Sequence, residues 1–270
     1  MHSRTYREQG YDFPIRVIQP DRAAALQGRF LEYVAAHSQH LNALAPRDQY
    51  AAFSETHVSQ RWVYEIVSDS NVLDVVEEIL GPDLLVWSSR WFSKLPGEKT
   101  FVSWHQDATY WGLHPPNVTT AWIALSESTR KNGCMRVIPA THLDPLLPQN
   151  DTYHPENALS RGQEIAVTVD ESSAVDIVLA PGEMSLHHIG IVHGSEVNTS
   201  DKPRIGLAVR YITPDVLQDG VDRPAGMLVR GQDRVRNFEL LDPPESDTDA
   251  RASARQQAIV EKVRTSIMRK

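Results

Sequence analysis

Cysteine is almost absent from this chain: Cys134 is the only one in 270 residues. A lone thiol closes no intramolecular disulfide and builds no thiolate zinc cluster. The sequence also lacks any apolar run near the ~18 residues that a membrane-spanning helix requires. Its first stretch, Met1 to Val17, is charged throughout and has no apolar segment of the kind a secretory signal needs. Positive charge is not in excess either. Lys and Arg number 27 against 35 Asp and Glu, a formal net charge of -8, so the overall field disfavours nucleic acid. These absences predict a cytoplasmic protein in a reducing setting, with neither nucleic acid nor membrane as partner. An anionic ligand would have to be met by a local cation.

What is present is an ordinary globular composition, 41% hydrophobic and 23% charged, ample for a sizeable core. One domain over 1–270 is expected, in three stretches. Residues 1–82 read as helical support. Ala24, Leu26, Phe30, Leu31 and Val34 recur near helical spacing after Pro20-Asp21. A second helix is expected over Gln60 to Val67. A third begins at the Ser68-Asp69-Ser70-Asn71 capping cluster and stops at Gly81-Pro82.

Residues 83–213 change character to short strands divided by turn signals. They are expected at Leu84–Lys94, Phe101–Asp107, Val118–Ser126, Met135–Ile138, Glu164–Val169, Asp176–Leu179, Glu183–His188 and Arg204–Thr213. Residues 141–162 read as a long surface excursion. The fold class is therefore mainly β with flanking helices, in a sandwich or jelly roll. Residues 214–270 form a polar extension. Its last part is helical and could pack on the barrel or on a second subunit, leaving monomer and homodimer both open.

His105 and Asp107 lie two apart in a predicted strand, so both side chains share a face. Alone, a His-x-Asp pair is a short pattern that arises by chance. His193 follows an apolar segment and is flanked by Gly194 and Ser195. Eleven residues on, Arg204 opens an alternating strand, and a strand-borne arginine can pair bidentately with a carboxylate. Two imidazoles and one carboxylate suit an open octahedral iron(II) site rather than structural zinc.

With Thr120-Ala121-Trp122-Ile123-Ala124-Leu125, Asn132-Gly133-Cys134 through Pro139, Thr141-His142 and Gly182-Glu183, these residues resemble the phytanoyl-CoA dioxygenase family of iron(II)- and 2-oxoglutarate-dependent oxygenases. The resemblance covers roughly residues 84–213. It implies a double-stranded β-helix (a cupin-like jelly roll), iron(II) on His105, Asp107 and His193, and 2-oxoglutarate with its distal carboxylate on Arg204. Trp122, Ser195 and Gln106 would line that co-substrate, and dioxygen would be the oxidant. Related halogenases replace the aspartate with a small residue, so Asp107 favours a hydroxylase. A metal-binding jelly roll without oxygenase activity, such as a cupin-like isomerase or a sensor, is the alternative. It would have no reason to place Arg204 with Trp122.

The partner expected is a small-molecule substrate, with a lean towards an anionic one. Arg90, Lys94 and Arg210 carry that lean, since Arg90 and Lys94 share parity with Val86, Ser88 and Phe92, and Arg210 shares it with Arg204. Tyr110 and Trp111 are candidate pocket walls and His114 a candidate substrate lid. His187 and His188, read as preceding His193 on one strand, are given structural roles.

Overall fold

The computed structural model describes residues 2–41 and 53–268. Helix α1 (His2–Gln9) leads into strand β1 (Tyr11–Arg16), helix α2 (Pro20–Leu41), and helices α3 (Arg61–Val67) and α4 (Ser70–Leu80). Strands β2 (Leu84–Lys94) and β3 (Val102–His105) follow, then a single turn α5 (Ala108–Trp111), β4 (Leu113–His114), β5 (Val118–Ala124), β6 (Met135–Ile138), β7 (Gln149–Asp151), β8 (Gln163–Ile165) and β9 (Val175–Asp176). The chain ends with β10 (Glu183–His188), β11 (Val192–Ser195), β12 (Arg204–Ile212), β13 (Leu217–Gln218), β14 (Ala225–Arg230), β15 (Glu239–Leu240) and α6 (Ala250–Met268).

Two sheets face each other as a jelly roll. The larger runs β1-β10-β5-β12-β2-β14-β15 and the smaller β3-β11-β6-β9. Along β12 the alternation sorts side chains to two destinations. Ile205, Leu207 and Val209 point to the helices, where they pack with Phe30, Trp62, Val63, Ile66, Val72 and Val76. Arg204, Gly206, Ala208 and Arg210 point between the sheets, where Ala208 packs with Trp122, Val137 and Ile191. Helix α4 follows its capping cluster: the Asp69 carboxylate accepts from Asn71 N at 3.0 Å, and Gly81 ends the helix at φ 92°. No helix among the described residues is long and apolar enough to cross a membrane.

Several expectations need correction. The large sheet is not confined to 83–213, since β1 pairs with β10 and β14 with β2. Both extra strands escape a reading of local pattern. β1 is an edge strand carrying Pro14, which a central strand would exclude, and β14 gains its partner from far upstream in β2 (Met227↔Val86). The alternation over Glu164 to Val169 yields only Gln163–Ile165, and Val167 is exposed. The 141–162 excursion is tied inward, as Ala158 N donates to Phe101 O at 2.9 Å and Asn157 Nδ2 to Ser103 Oγ at 2.7 Å. His187 and His188 lie on β10, not on His193's strand β11. The β2–β12 register slips between Ser88 and Val86, placing Val86 in the helix-side core, so it does not share a face with Ser88 and Arg90.

Candidate metal and co-substrate site

His105 and His193 are direct cross-strand partners in the antiparallel pair β3–β11, with ring centroids 4.1 Å apart. Each ring is fixed by its own strand. His105 Nδ1 donates to Ser103 O at 2.9 Å and His193 Nδ1 to Ile191 O at 3.0 Å. A carbonyl only accepts, so Nδ1 carries the proton and each Nε2 presents a lone pair inward. Burial, then the neighbouring His105, pushes the pKa of His193 down to about 4, which keeps its ring neutral and ready for a cation.

Asp107 reaches the same point by another route than the sequence suggests. Strand β3 ends at His105, and Asp107 sits at the head of α5 with helical φ and ψ. Its carboxylate lies 3.4 Å from His105 Nε2 and 3.9 Å from His193 Nε2. Burial alone would raise its pKa. The adjoining His105 and His193 imidazoles and the charge of Arg210 outweigh burial and hold the carboxyl well below its usual range. The three residues offer one ligand atom each, all within 4.8 Å of one another, and all three are buried. Such a set can hold a divalent cation on one face.

Gln106 is expected to line the co-substrate, but both ends of its amide are engaged by backbone. Nε2 donates to Gly190 O at 2.7 Å, and Oε1 accepts from Leu147 N at 2.8 Å. Ala108 N donates to Ile189 O at 2.9 Å. The segment carrying Asp107 is thus laced to the β10–β11 turn that leads into His193. Gln106 braces the triad rather than lining the cavity. Gly194 is small for its neighbouring strand: a Cβ there would meet Val102 O at 3.0 Å.

Farther along the same interior, Arg204 is buried, with Cζ 5.3 Å over the Trp122 ring and Nη1 donating to Gly133 O. Gly206 makes this possible, since a Cβ there would lie 2.2 Å from the Trp122 ring. Lys94 is the direct cross-strand neighbour of Arg204. Its ammonium donates to Ser195 Oγ at 2.7 Å, to Ser195 O at 3.2 Å and to Glu196 O. Burial and then Arg204 push its pKa well down. Because Ser195 Oγ accepts from Lys94, its own hydroxyl proton is available to a ligand. Lys94 therefore belongs with Arg204, Trp122 and Ser195, a placement that strand parity alone did not assign.

The substrate-side candidates separate. Trp111 walls the interior, its ring tilted against Trp87 at 5.3 Å between centroids and 5.2 Å from Arg210 Cζ. Arg90 faces the interior over Phe92 and donates from Nη2 to Ala158 O at 3.1 Å. Tyr110 is turned to the excursion, where its hydroxyl donates to Gln149 Oε1 at 2.6 Å. His114, on β4, is 54% exposed and lies 3.3 Å from Asp219. Sequence reasoning missed Glu55, whose carboxylate accepts from Ser88 Oγ at 2.7 Å and Ser89 N at 3.2 Å. Burial pushes its pKa up to about 7, against the pull of those bonds and of Arg210 and Arg90. It lies in a loop with no periodic signal.

Residues 6–206 match the family model described as Phytanoyl-CoA dioxygenase. Peroxisomal phytanoyl-CoA dioxygenase of Bos taurus is 30% identical over 150 residues, which are 52% of this chain and 43% of that protein. The chain spans about half the length of the curated relatives it matches. Among solved structures, the apo form of the non-heme monooxygenase ThoJ is 32% identical, with a TM-score of 0.85 over 100% of this chain and 99% of that one. A nickel complex of ThoJ is also similar, at 30% identity and a TM-score of 0.80 over 100% of this chain and 99% of that one. A protein solved with Fe(II) and alpha-ketoglutarate shares the fold at 20% identity and a TM-score of 0.63, covering 91% of this chain and 96% of that one.

Proposed function

The chain belongs to the phytanoyl-CoA dioxygenase family, and from that premise we propose that it is a non-haem iron(II)- and 2-oxoglutarate-dependent oxygenase hydroxylating a small-molecule substrate, with release of succinate and carbon dioxide. One observation carries the reading: His105, Asp107 and His193 bring two imidazole nitrogens and a carboxylate oxygen within 4.8 Å of one another inside the barrel. The donor set fits ferrous iron, being hard-to-intermediate in character and confined to one face. Among the described residues no other His, Cys, Asp or Glu joins the cluster, so positions remain for co-substrate and dioxygen.

Each residue then has a defined task. His105 and His193 present Nε2, with the tautomer set by Ser103 O and Ile191 O. Asp107 supplies the third ligand and the negative charge, and it fills the place a halide would need, which favours hydroxylation over halogenation. Arg204 holds the distal carboxylate of 2-oxoglutarate, with Ser195 Oγ–H, oriented by Lys94, as a second donor and Trp122 as the flat wall. When bound, iron, 2-oxoglutarate and dioxygen supply the oxidising power that replaces a substrate hydrogen with a hydroxyl. The barrel's packing around Ala208, Val137 and Ile191 keeps water from that chemistry.

The test is incubation with iron(II), 2-oxoglutarate, oxygen and candidate substrates. Succinate should form in proportion to hydroxylated product. An intact protein that consumes no 2-oxoglutarate with any substrate would contradict the reading.

A further inference from the structure

We infer that the barrel holds a second anion recess, built by Arg210 with its cross-strand neighbours Thr120 and His187, which seats a carboxylate of the substrate beside the triad. The inference rests on the oxygenase reading of that triad and extends it to the substrate's chemical class.

The three residues form one row across the large sheet. Arg210 is the register partner of Thr120, and Thr120 of His187. All three point between the sheets, as their row neighbours Trp122 and Ala208 do. The row reaches the triad at one end, where the His187 ring lies 4.8 Å from the His193 ring. All three are buried, Arg210 at 9%, Thr120 at 1% and His187 at 3% exposure. Yet Arg210 Nε, Thr120 Oγ1 and His187 Nδ1 have no hydrogen-bond partner. Nearby Ser185 Oγ, on the inner face of β10, shares that condition. Buried polar atoms cost free energy when unpaired, so a run of them on adjacent strands asks for a ligand.

Arg210 gives that ligand its charge. Its Cζ lies 5.2 Å over the Trp111 ring and 6.0 Å over the Phe92 ring, so aromatic rings that cannot pair its N–H groups flank the guanidinium, and its Nε is left without a partner. It makes no hydrogen bond or ion pair within 4.0 Å to any described residue. The two carboxylates that it feels, Asp107 and Glu55, have nearer partners. Asp107 faces His105 at 3.4 Å, and Glu55 accepts from Ser88 Oγ and Ser89 N. A guanidinium flanked in this way, with its Nε unpaired, matches the two oxygens of a carboxylate, and Thr120 Oγ–H supplies one more donor. The second cation, Arg204, is six residues away on the same strand face and serves the co-substrate. Two carboxylates are thus sorted to two arginines, with the substrate's on the Trp111 side.

The test is calorimetric titration of Mn(II)- and 2-oxoglutarate-loaded protein with benzoate, phenylacetate and N-acetylglycine, each against its amide. The wild type should prefer acid over amide by about tenfold or more, the range expected for a charge-assisted pair. Arg210→Leu should erase that preference and leave 2-oxoglutarate affinity intact, while Arg210→Lys restores part of it. Melting temperatures verify that each variant is folded. Equal affinity of wild type for acids and amides would overturn the inference, as would a preference that survives Arg210→Leu. So would a loss of 2-oxoglutarate binding in Arg210→Leu as large as in Arg204→Leu, since Arg210 would then belong to the co-substrate. Failure of the oxygenase reading shows earlier and separately, as wild type that takes up no 2-oxoglutarate. The acid-over-amide preference is then read on protein loaded with Mn(II) alone.

Discussion

The two faces of the large sheet treat polar groups in opposite ways. On the helix side most buried polar groups have a partner, Tyr6 Oη being an exception. Trp91 Nε1 donates to Thr56 Oγ1 at 2.9 Å, Tyr211 Oη to Val67 O at 2.7 Å, and His57 Nδ1 bonds Ser89 Oγ at 2.8 Å. On the barrel side Arg210 Nε, Thr120 Oγ1, Ser185 Oγ and His187 Nδ1 are buried without one. The same strands supply both faces, so strand chemistry does not explain the contrast. A nearly closed ledger of hydrogen bonds fits the face that stabilises the fold, and a run of open ones fits the face proposed to receive ligands.

The sharpest way to break this comparison is to damage each face once. His105→Ala should reduce turnover to background while the metal-free protein still folds, because the barrel side contributes ligands rather than packing. Trp91→Ala on the helix side should cost ~3–5 kcal/mol of stability by opening a cavity among Phe30 and Trp62. Its residual activity should track the folded fraction measured by denaturant titration. If His105→Ala unfolds the protein, the two faces do not divide labour as argued.

Smaller effects sharpen the contrast within the barrel side. Arg204→Leu should raise the 2-oxoglutarate concentration for half-maximal rate by about 30-fold, the equivalent of about 2 kcal/mol for one charge-assisted pair. Steady-state kinetics at fixed iron would measure it. Gln106→Ala, which cuts the brace to Gly190 and Leu147, should weaken Mn(II) binding by about tenfold in equilibrium dialysis without moving the 2-oxoglutarate requirement at saturating metal.

The mildest expectation concerns pH. Burial pushes the pKa of His57 from 6.5 down to about 3, and burial with His142 pushes that of His188 down to about 4. The unfolded chain therefore binds more protons below pH 6.5, and stability should fall as pH drops from 6.5 through about 4. Denaturant midpoints across that window should decline, less steeply above pH 4.5, where Glu55, raised to about 7, opposes the histidines. A flat profile would mean that the helix-side histidines are not held neutral by burial.

Much of this was legible in the sequence, for reasons that can be named. Strands β5, β6, β10 and β12 and helices α3 and α4 announced themselves through period, caps and turns, all local signals. The clustering of His105, Asp107 and His193 was legible because a metal face needs few residues in fixed spacing, and Arg204 is the proposed co-substrate residue that the same reading set beside them. What stayed hidden depends on distant contacts. β1 and β14 are strands only because β10 and β2 offer them edges. Asp107 shares a face with His105 through a helical turn, not through the strand alternation that suggested it. Arg210 was visible by parity with Arg204. Its aromatic neighbours were not, since Trp111 and Phe92 come from separate segments.

The most direct test of the central claim is anaerobic equilibrium binding of iron(II) and then 2-oxoglutarate. The wild type should take up a single iron(II), and 2-oxoglutarate only afterwards. His105→Ala should take up neither, and Arg204→Leu should bind iron while 2-oxoglutarate affinity falls about 30-fold. Wild-type protein that holds iron(II) yet shows no affinity for 2-oxoglutarate would contradict the account.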